Sequence, residues 1–320
     1  FKLGDFERGE EYLQKSNDIR EKLEDKRGIL LNYIRLSSFF ISKREFKKVI
    51  DICNEALKVE PNLVEFYITR GNAYAVLNKH EQAIEDFSKA IELNPDFAEA
   101  YNNRGVAYAE LNKYEQAIED YDKAIELNPN YAEAYYGRGL AYVKLNKHEQ
   151  AIKDFSKAIE LNPNYTVAYI IRGFTYAKLN QHERAIEDYN KAIKLNPALA
   201  EAYGIRGIAY SEIQRYEESA RDLKKAGILF LHSGREKYAV KTFSFCFKLR
   251  DKIENDNIVY CGLALSLLTS DADVMNELSR VRIQDENLRT ILELAMRKLR
   301  KEDISEEISV LEEKEKREEM

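Results

Sequence analysis

The sequence predicts an all-α solenoid of stacked helical hairpins, and three observations carry that prediction. A block of sequence returns every 34 residues, its apolar residues fall three and four apart, and it is punctuated at the same two places by Asn and by Asn-Pro. Self-similarity at a fixed period of roughly 20–50 residues is the mark of repeat architectures. The glycines of five Arg-Gly pairs (Gly71, Gly105, Gly139, Gly173 and Gly207) set the register without a break. Five units follow as 64–97, 98–131, 132–165, 166–199 and 200–233. A divergent sixth, 30–63, precedes them, with Tyr33, Phe40, Phe46, Ala56 and Pro61 in register and Ser37 in place of the glycine.

Within 98–131, Tyr101, Gly105 and Tyr108 share one face of a first helix, and Ala117, Tyr121 and Ala124 share one face of a second. Residues three and four apart are neighbours on a helix surface. Asn112 stands between the two helices, as Asn78, Asn146 and Asn180 do in other units, and a helix that ends in left-handed backbone favours Gly or Asn there. The second helix stops at Asn128-Pro129, because proline disfavours helical geometry in the residue before it. The next first helix is expected to open on a capping box, since Asn62 and Glu65, Asp96 and Glu99, and Asn130 and Glu133 have the required spacing. The recurring Gly and Ala let helices approach closely, so Gly139→Leu is expected to damage folding. A lone hairpin cannot bury these faces, and neighbouring units must stack.

Residues 1–29 read as the second helix and linker of a still earlier unit, with Gly4 in the turn and Leu13 and Ser16 on the packing face. Beyond Ser233 the period fades, and residues 234–320 read as divergent helices that cap the stack. A competing register, Leu223, Gly227, Phe230, Gly234, Ala239 and Phe243, also fits the repeat but overlaps the second helix of 200–233, so the earlier register is preferred. Ile304, Ile308 and Leu311 give the last segment a narrow apolar stripe amid Glu and Lys.

The order Tyr101, Gly105, Tyr108, Ala117, Tyr121, Ala124, Pro129 resembles the tetratricopeptide repeat, a 34-residue helix-turn-helix motif. The resemblance covers about two thirds of the chain; Tyr stands where the family often has Trp, and 200–233 has Ser219 for the usual Ala and lacks the closing proline. It implies a right-handed α-α superhelix whose first helices line a concave groove. By that resemblance the groove positions are Ile68, Asn72, Asn102, Asn103, Val106, Tyr136, Leu140, Val143, Ile170, Phe174, Gly204 and Ile208. Chaperone-binding members of the family clamp a peptide's terminal carboxylate with Lys, Asn and Arg. Asn72 and Asn103 match the two Asn positions, whereas the basic positions hold Ile68, Glu133 and Gly137, so that clamp is disarmed.

Composition narrows the function classes. A formal charge of -6, with cations interspersed among carboxylates, gives no basic stripe for a phosphate backbone, so no nucleic-acid partner is expected. The apolar runs fall short of a membrane span. Three distant cysteines, Cys53, Cys246 and Cys261, fit a reducing compartment, and a cytoplasmic location is the expectation. No nucleotide-loop, metalloprotease or nucleophile-elbow motif occurs, so neither cofactor nor catalytic group is assigned. His80, His148 and His182 share one repeat position with Phe46, Tyr114 and Tyr216. Helices stacked about 8–10 Å apart keep equivalent atoms too distant for one zinc ion, which needs ligands at about 2 Å.

One charge pattern is more informative. Arg70, Arg104, Arg138, Arg172 and Arg206 in the first helices travel with Asp86, Asp120, Asp154, Asp188 and Asp222 in the second, and the divergent unit replaces both at once, by Leu36 and Ile52. Joint loss predicts that the two face each other in a structural Arg–Asp ladder, because a partly buried Arg without its carboxylate is costly. The expected function is thus a non-catalytic scaffold that takes an extended or helical polypeptide segment in a largely apolar groove. The alternatives are a self-assembly scaffold, with a homo-oligomer as its product, and the regulatory arm of a larger enzyme.

Overall fold

The computed structural model describes residues 15–17, 19–20, 25–253 and 256–269. The expectations for Gly4, Leu13 and the stripe Ile304, Ile308 and Leu311 lie outside them. The chain divides into two compact units, Phe1–Pro163 and Asn164–Met320. The first holds four hairpins: α1 (Lys26–Ser42) with α2 (Phe46–Val59), α3 (Val64–Val76) with α4 (His80–Leu93), α5 (Ala98–Glu110) with α6 (Tyr114–Leu127), and α7 (Ala132–Lys144) with α8 (His148–Leu161). The second holds α9 (Thr166–Lys178) with α10 (His182–Leu195), α11 (Ala200–Glu212) with α12 (Tyr216–His232), then α13 (Glu236–Phe247), a 3-10 turn (Lys248–Asp251) and α14 (Asp256–Thr269). No strand occurs among the described residues.

Each hairpin turn follows from one left-handed residue. Asn78, Asn112, Asn146 and Asn180 have φ between 56° and 58°. At Asn112 the turn closes as a Schellman motif, with Lys113 N donating to Tyr108 O and Asn112 N to Ala109 O, both at 2.9 Å. The expected capping boxes do not form. The N-cap positions are Leu63, Phe97 and Tyr131, one residue beyond the expected Asn62, Asp96 and Asn130, and none has a side-chain cap. The asparagine before each proline acts instead: Asn94, Asn128 and Asn196 accept through Oδ1 from the backbone N of Asp96, Asn130 and Ala198 at 3.3, 3.1 and 3.1 Å. These are Asx turns that wrap the linker around the proline.

Close approach between first and second helices is what the recurring glycine permits. A Cβ on Gly139 would lie 2.6 Å from the Phe155 ring, and one on Gly71 2.6 Å from the Phe87 ring. Gly204 differs, because a Cβ there would meet only the Ala226 Cβ at 3.8 Å, an ordinary contact. Gly204→Ala is therefore expected to raise stability by about 0.5–1 kcal/mol through the lower conformational entropy of alanine in a helix interior. An unchanged or lower urea midpoint would contradict this reading of the space.

The preference for a single register at 216–232 is corrected by the packing of α12. As a second helix it faces α11, where a Cβ on Gly207 would lie 2.9 Å from Leu223 Cγ. As a first helix it faces α13, where a Cβ on Gly227 would lie 2.2 Å from the Phe243 ring. The two contacts have the same 16-residue spacing, Gly234 takes the left-handed turn with φ 69°, and Ala239, Phe243 and Cys246 are fully buried as their counterparts are. One 17-residue helix thus serves two hairpins. At the Arg and Asp positions of this second register stand Ala226 and Thr242, so both charges are again lost together.

Candidate partner-binding face

In every regular repeat the arginine grips the aspartate of its own unit with both prongs. Nε donates to Oδ2 and Nη2 to Oδ1 at 2.6–2.8 Å for Arg70–Asp86, Arg104–Asp120, Arg138–Asp154, Arg172–Asp188 and Arg206–Asp222. The third nitrogen of four of them reaches back to the preceding second helix: Arg70 to Asn54 at 2.6 Å, Arg104 to Ser88 at 2.9 Å, Arg138 to Asp122 and Arg206 to Asn190 at 2.5 Å. Tyrosines three before and four after flank the guanidinium of Arg104, Arg172 and Arg206, as Tyr101 and Tyr108 do at 5.7 and 5.9 Å from Arg104. Bidentate geometry and desolvation make these the strong kind of ion pair.

The two halves of a pair respond differently to their burial. Burial pushes the Asp154 carboxyl up, and the hydrogen bonds from Arg138 pull it only part of the way back. For Arg138 burial works to lower the pKa, and its bonds to Asp154 and Asp122 override it upward. Burial thus opposes the charged form of both partners, and the bidentate contact offsets it fully at the arginine and in part at the aspartate.

In the divergent hairpin, Leu36 and Ile52 line a cleft of about 290 Å³ together with Asn17, Tyr33, Phe40, Lys48, Asp51 and Glu55. The cleft lies where other repeats place their ion pair. His80, His148 and His182 open α4, α8 and α10, each with a buried Nδ1 that has no hydrogen-bond partner. Among the described residues no group of three or more His, Cys, Asp or Glu is arranged to hold a metal.

The structure sorts the expected groove residues. Val106, Phe174 and Ile208 are exposed at 44%, 44% and 41%, and all occupy the same place in their repeats, directly after the packed glycine. Leu140 and Val143 on α7 and Ile170 on α9 are half-buried, and so is Tyr136, whose ring centroid sits 5.8 Å from that of Phe155. Two members of the set are not open. Ile68 is 6% exposed within the cluster of Ala83, Phe87 and Ala90, and Asn102 is 7% exposed. A repeat position gives the side of the helix, whereas burial depends on how far the neighbour reaches. Asn102 joins an amide relay in which its Nδ2 donates to Asn103 Oδ1 at 3.2 Å and Asn103 Nδ2 donates to Asn72 Oδ1 at 3.1 Å. Its own Oδ1 has no partner.

Sequence reasoning missed several exposed apolar residues on first helices: Leu31, Ile34 and Ile41 on α1, Val76 at the end of α3, and Val167 on α9. The signal was available. Leu31, Ile34 and Ile41 have helical spacing, and Val167 stands where four repeats have Glu65, Glu99, Glu133 and Glu201. On α9 it completes the run Val167, Ile170, Ile171, Phe174, an i, i+3, i+4, i+7 stripe.

Among the described residues no helix is long and apolar enough to cross a membrane. The tetratricopeptide repeat profile matches residues 98–131, 132–165 and 166–199, and a further TPR repeat profile matches 71–112. The C-terminal part of a TPR repeat-containing protein from Cytophaga hutchinsonii superposes with a TM-score of 0.63 over 76% of this chain and 98% of its own, at 14% identity, a likeness of fold. A MamA protein is 30% identical over 54% of this chain and 94% of its own, with a TM-score of 0.47. YrrB, a TPR protein with an unusual peptide-binding site, is 25% identical over 57% and 97%, with a TM-score of 0.48. No curated protein matches this chain. The unbroken 34-residue register, the helical hairpins it forms and the profiles that match them have one reading: the chain belongs to the tetratricopeptide repeat family.

Proposed function

We propose that this chain is a non-catalytic interaction scaffold that takes an extended or helical polypeptide segment on its first helices, chiefly through apolar contacts. One observation carries the reading: Val106, Phe174 and Ile208, at a single repeat position, all leave a large apolar side chain substantially exposed. Within residues 164–320 the stripe Val167, Ile170, Ile171, Phe174 of α9 gives an apolar face of the kind that marks partner sites, and its helical spacing suits apolar anchors. The exposed Asn72 and the adjoining Asn103 offer amides to a partner's backbone one helical turn from Val106. The basic positions of the terminal-carboxylate clamp hold Ile68, Glu133 and Gly137, so an acidic chain end is not the preferred ligand.

Selection of a displayed peptide library on the immobilised chain tests this. Selected peptides are expected to share apolar anchors, and Phe174→Glu with Ile208→Glu is expected to weaken their binding at least tenfold at unchanged helix content. Peptides without such anchors, or binding indifferent to the double variant, would reject this face.

A further inference from the structure

The second helices α4, α6, α8 and α10 turn acid outward. Glu81, Glu85 and Glu92 on α4, and Glu115, Glu119 and Glu126 on α6, are all exposed and occupy the same three repeat positions. Helices α8 and α10 each keep two of the three glutamates, with Lys153 and Lys194 as the exceptions. In the register that the Gly227–Phe243 contact gives α13, those positions are Lys237, Lys241 and Lys248. All three are exposed, and they lie at i, i+4 and i+11, along one face. Among the described residues no carboxylate lies within ion-pair distance of them, whereas Arg235 is paired with Glu201 and Arg250 lies 4.0 Å from Asp251. The stretch from Gly234 to Lys252 holds six cations and two carboxylates in a chain whose net charge is -6. The even interspersion of charge read from the whole sequence therefore fails at α13.

We propose that this lysine face is the docking surface for the chain's own residues 302–320, which carry nine carboxylates against three cations. Charge complementarity names the occupant, and chain length permits it. Glu302 follows Thr269, the end of α14, by 33 residues, a connection that spans up to about 110 Å when extended. Helix α14 itself packs on α13, with the Phe243 and Tyr260 rings 6.2 Å apart, so the connection departs from a neighbour of α13. Magnitude decides between this source and the acidic helices of a second copy. Exposed ion pairs are individually weak, and a few of them do not offset the lost translational and rotational freedom of two separate molecules. A tethered segment avoids that cost, because its effective concentration is about millimolar. The contact is electrostatic and weakens as salt shortens the screening length from about 8 Å at 0.15 M to about 3 Å at 1 M. An external polyanion reaches the face only by displacing the segment.

A zero-length carbodiimide, which joins a lysine amine to a carboxylate in contact with it, tests the proposal on the full chain. The expected result is isopeptide links from Lys237, Lys241 or Lys248 to carboxylates within 302–319 in the monomer fraction, read by peptide mass spectrometry. Their yield is expected to fall at least fivefold in 1 M salt. In K237Q/K241Q/K248Q, whose exposed positions leave folding intact, the segment's remaining links to lysine are expected to fall likewise. Overturning results are a monomer without these links, links confined to the cross-linked dimer, which would assign the face to a second copy, or a yield indifferent to salt and to the triple variant.

Discussion

Asp154→Ala is expected to destabilise the α7–α8 hairpin by about 3 kcal/mol or more, the cost of leaving one partner of a buried pair uncompensated. The side chain of Asp154 is 8% exposed and that of Arg138 19%. After the change Arg138 keeps Asp122, whose side chain is 53% exposed, and loses two of its three hydrogen bonds. The informative comparison is the double variant Arg138→Leu with Asp154→Ile, which copies the natural pair Leu36 and Ile52. It is expected to recover much of the loss, since apolar side chains in place of a buried ion pair are often neutral or better. Repeat arrays depart from two-state unfolding, so amide exchange across α7 and α8 is the measurement of choice, with the urea midpoint beside it. A double variant no more protected than Asp154→Ala would show that the ladder has no apolar substitute in this hairpin.

Gly227→Leu is expected to detach α13 from α12 while leaving α11 in place. Even a Cβ at this position would lie 2.2 Å from the Phe243 ring, the tightest of the equivalent glycine contacts, and leucine adds three carbons more. Overpacking costs about 1–3 kcal/mol, which is large beside the stability of one terminal hairpin. Because Gly207 meets Leu223 one turn earlier on α12, protection of α11 should survive. The expected readout is rapid amide exchange and proteolysis in α13 with slow exchange retained in α11 and the first turns of α12. Slow exchange in α13 of the variant would mean that α12 is not its first helix.

The period, the helix pairing and the turn asparagines were legible because each is a local property repeated at fixed spacing. Joint replacement of Arg and Asp by Leu36 and Ile52 was sufficient to place the two charges opposite one another, as joint replacement by Ala226 and Thr242 does again. What stayed hidden was non-local. A helix was assumed to have one packing face, so the register of Gly227 and Phe243 looked like a rival to that of Gly207 and Leu223, although both hold at once. The capping boxes failed because the Asx turn at each Asn-Pro carries the chain one residue further before the helix opens. Ile68 and Asn102 share a helix side with exposed residues yet lie under neighbouring side chains, a depth that spacing does not encode. The lysine face was invisible to whole-chain averaging and appeared once α13 had a register.

The backward reach of the arginines bears on how such a chain changes length over generations. Asn54, Ser88, Asp122 and Asn190 differ chemically, yet each presents an oxygen acceptor at the same spot. Excising or copying one 34-residue module joins an arginine to a different but equally competent oxygen, and no guanidinium is stranded. Recombination within the gene is then expected to lengthen or shorten the array at little folding cost. The hairpins built on Leu36 with Ile52 and on Ala226 with Thr242 lack that interchangeable joint, and they bracket the stretch over which such edits are expected to be tolerated.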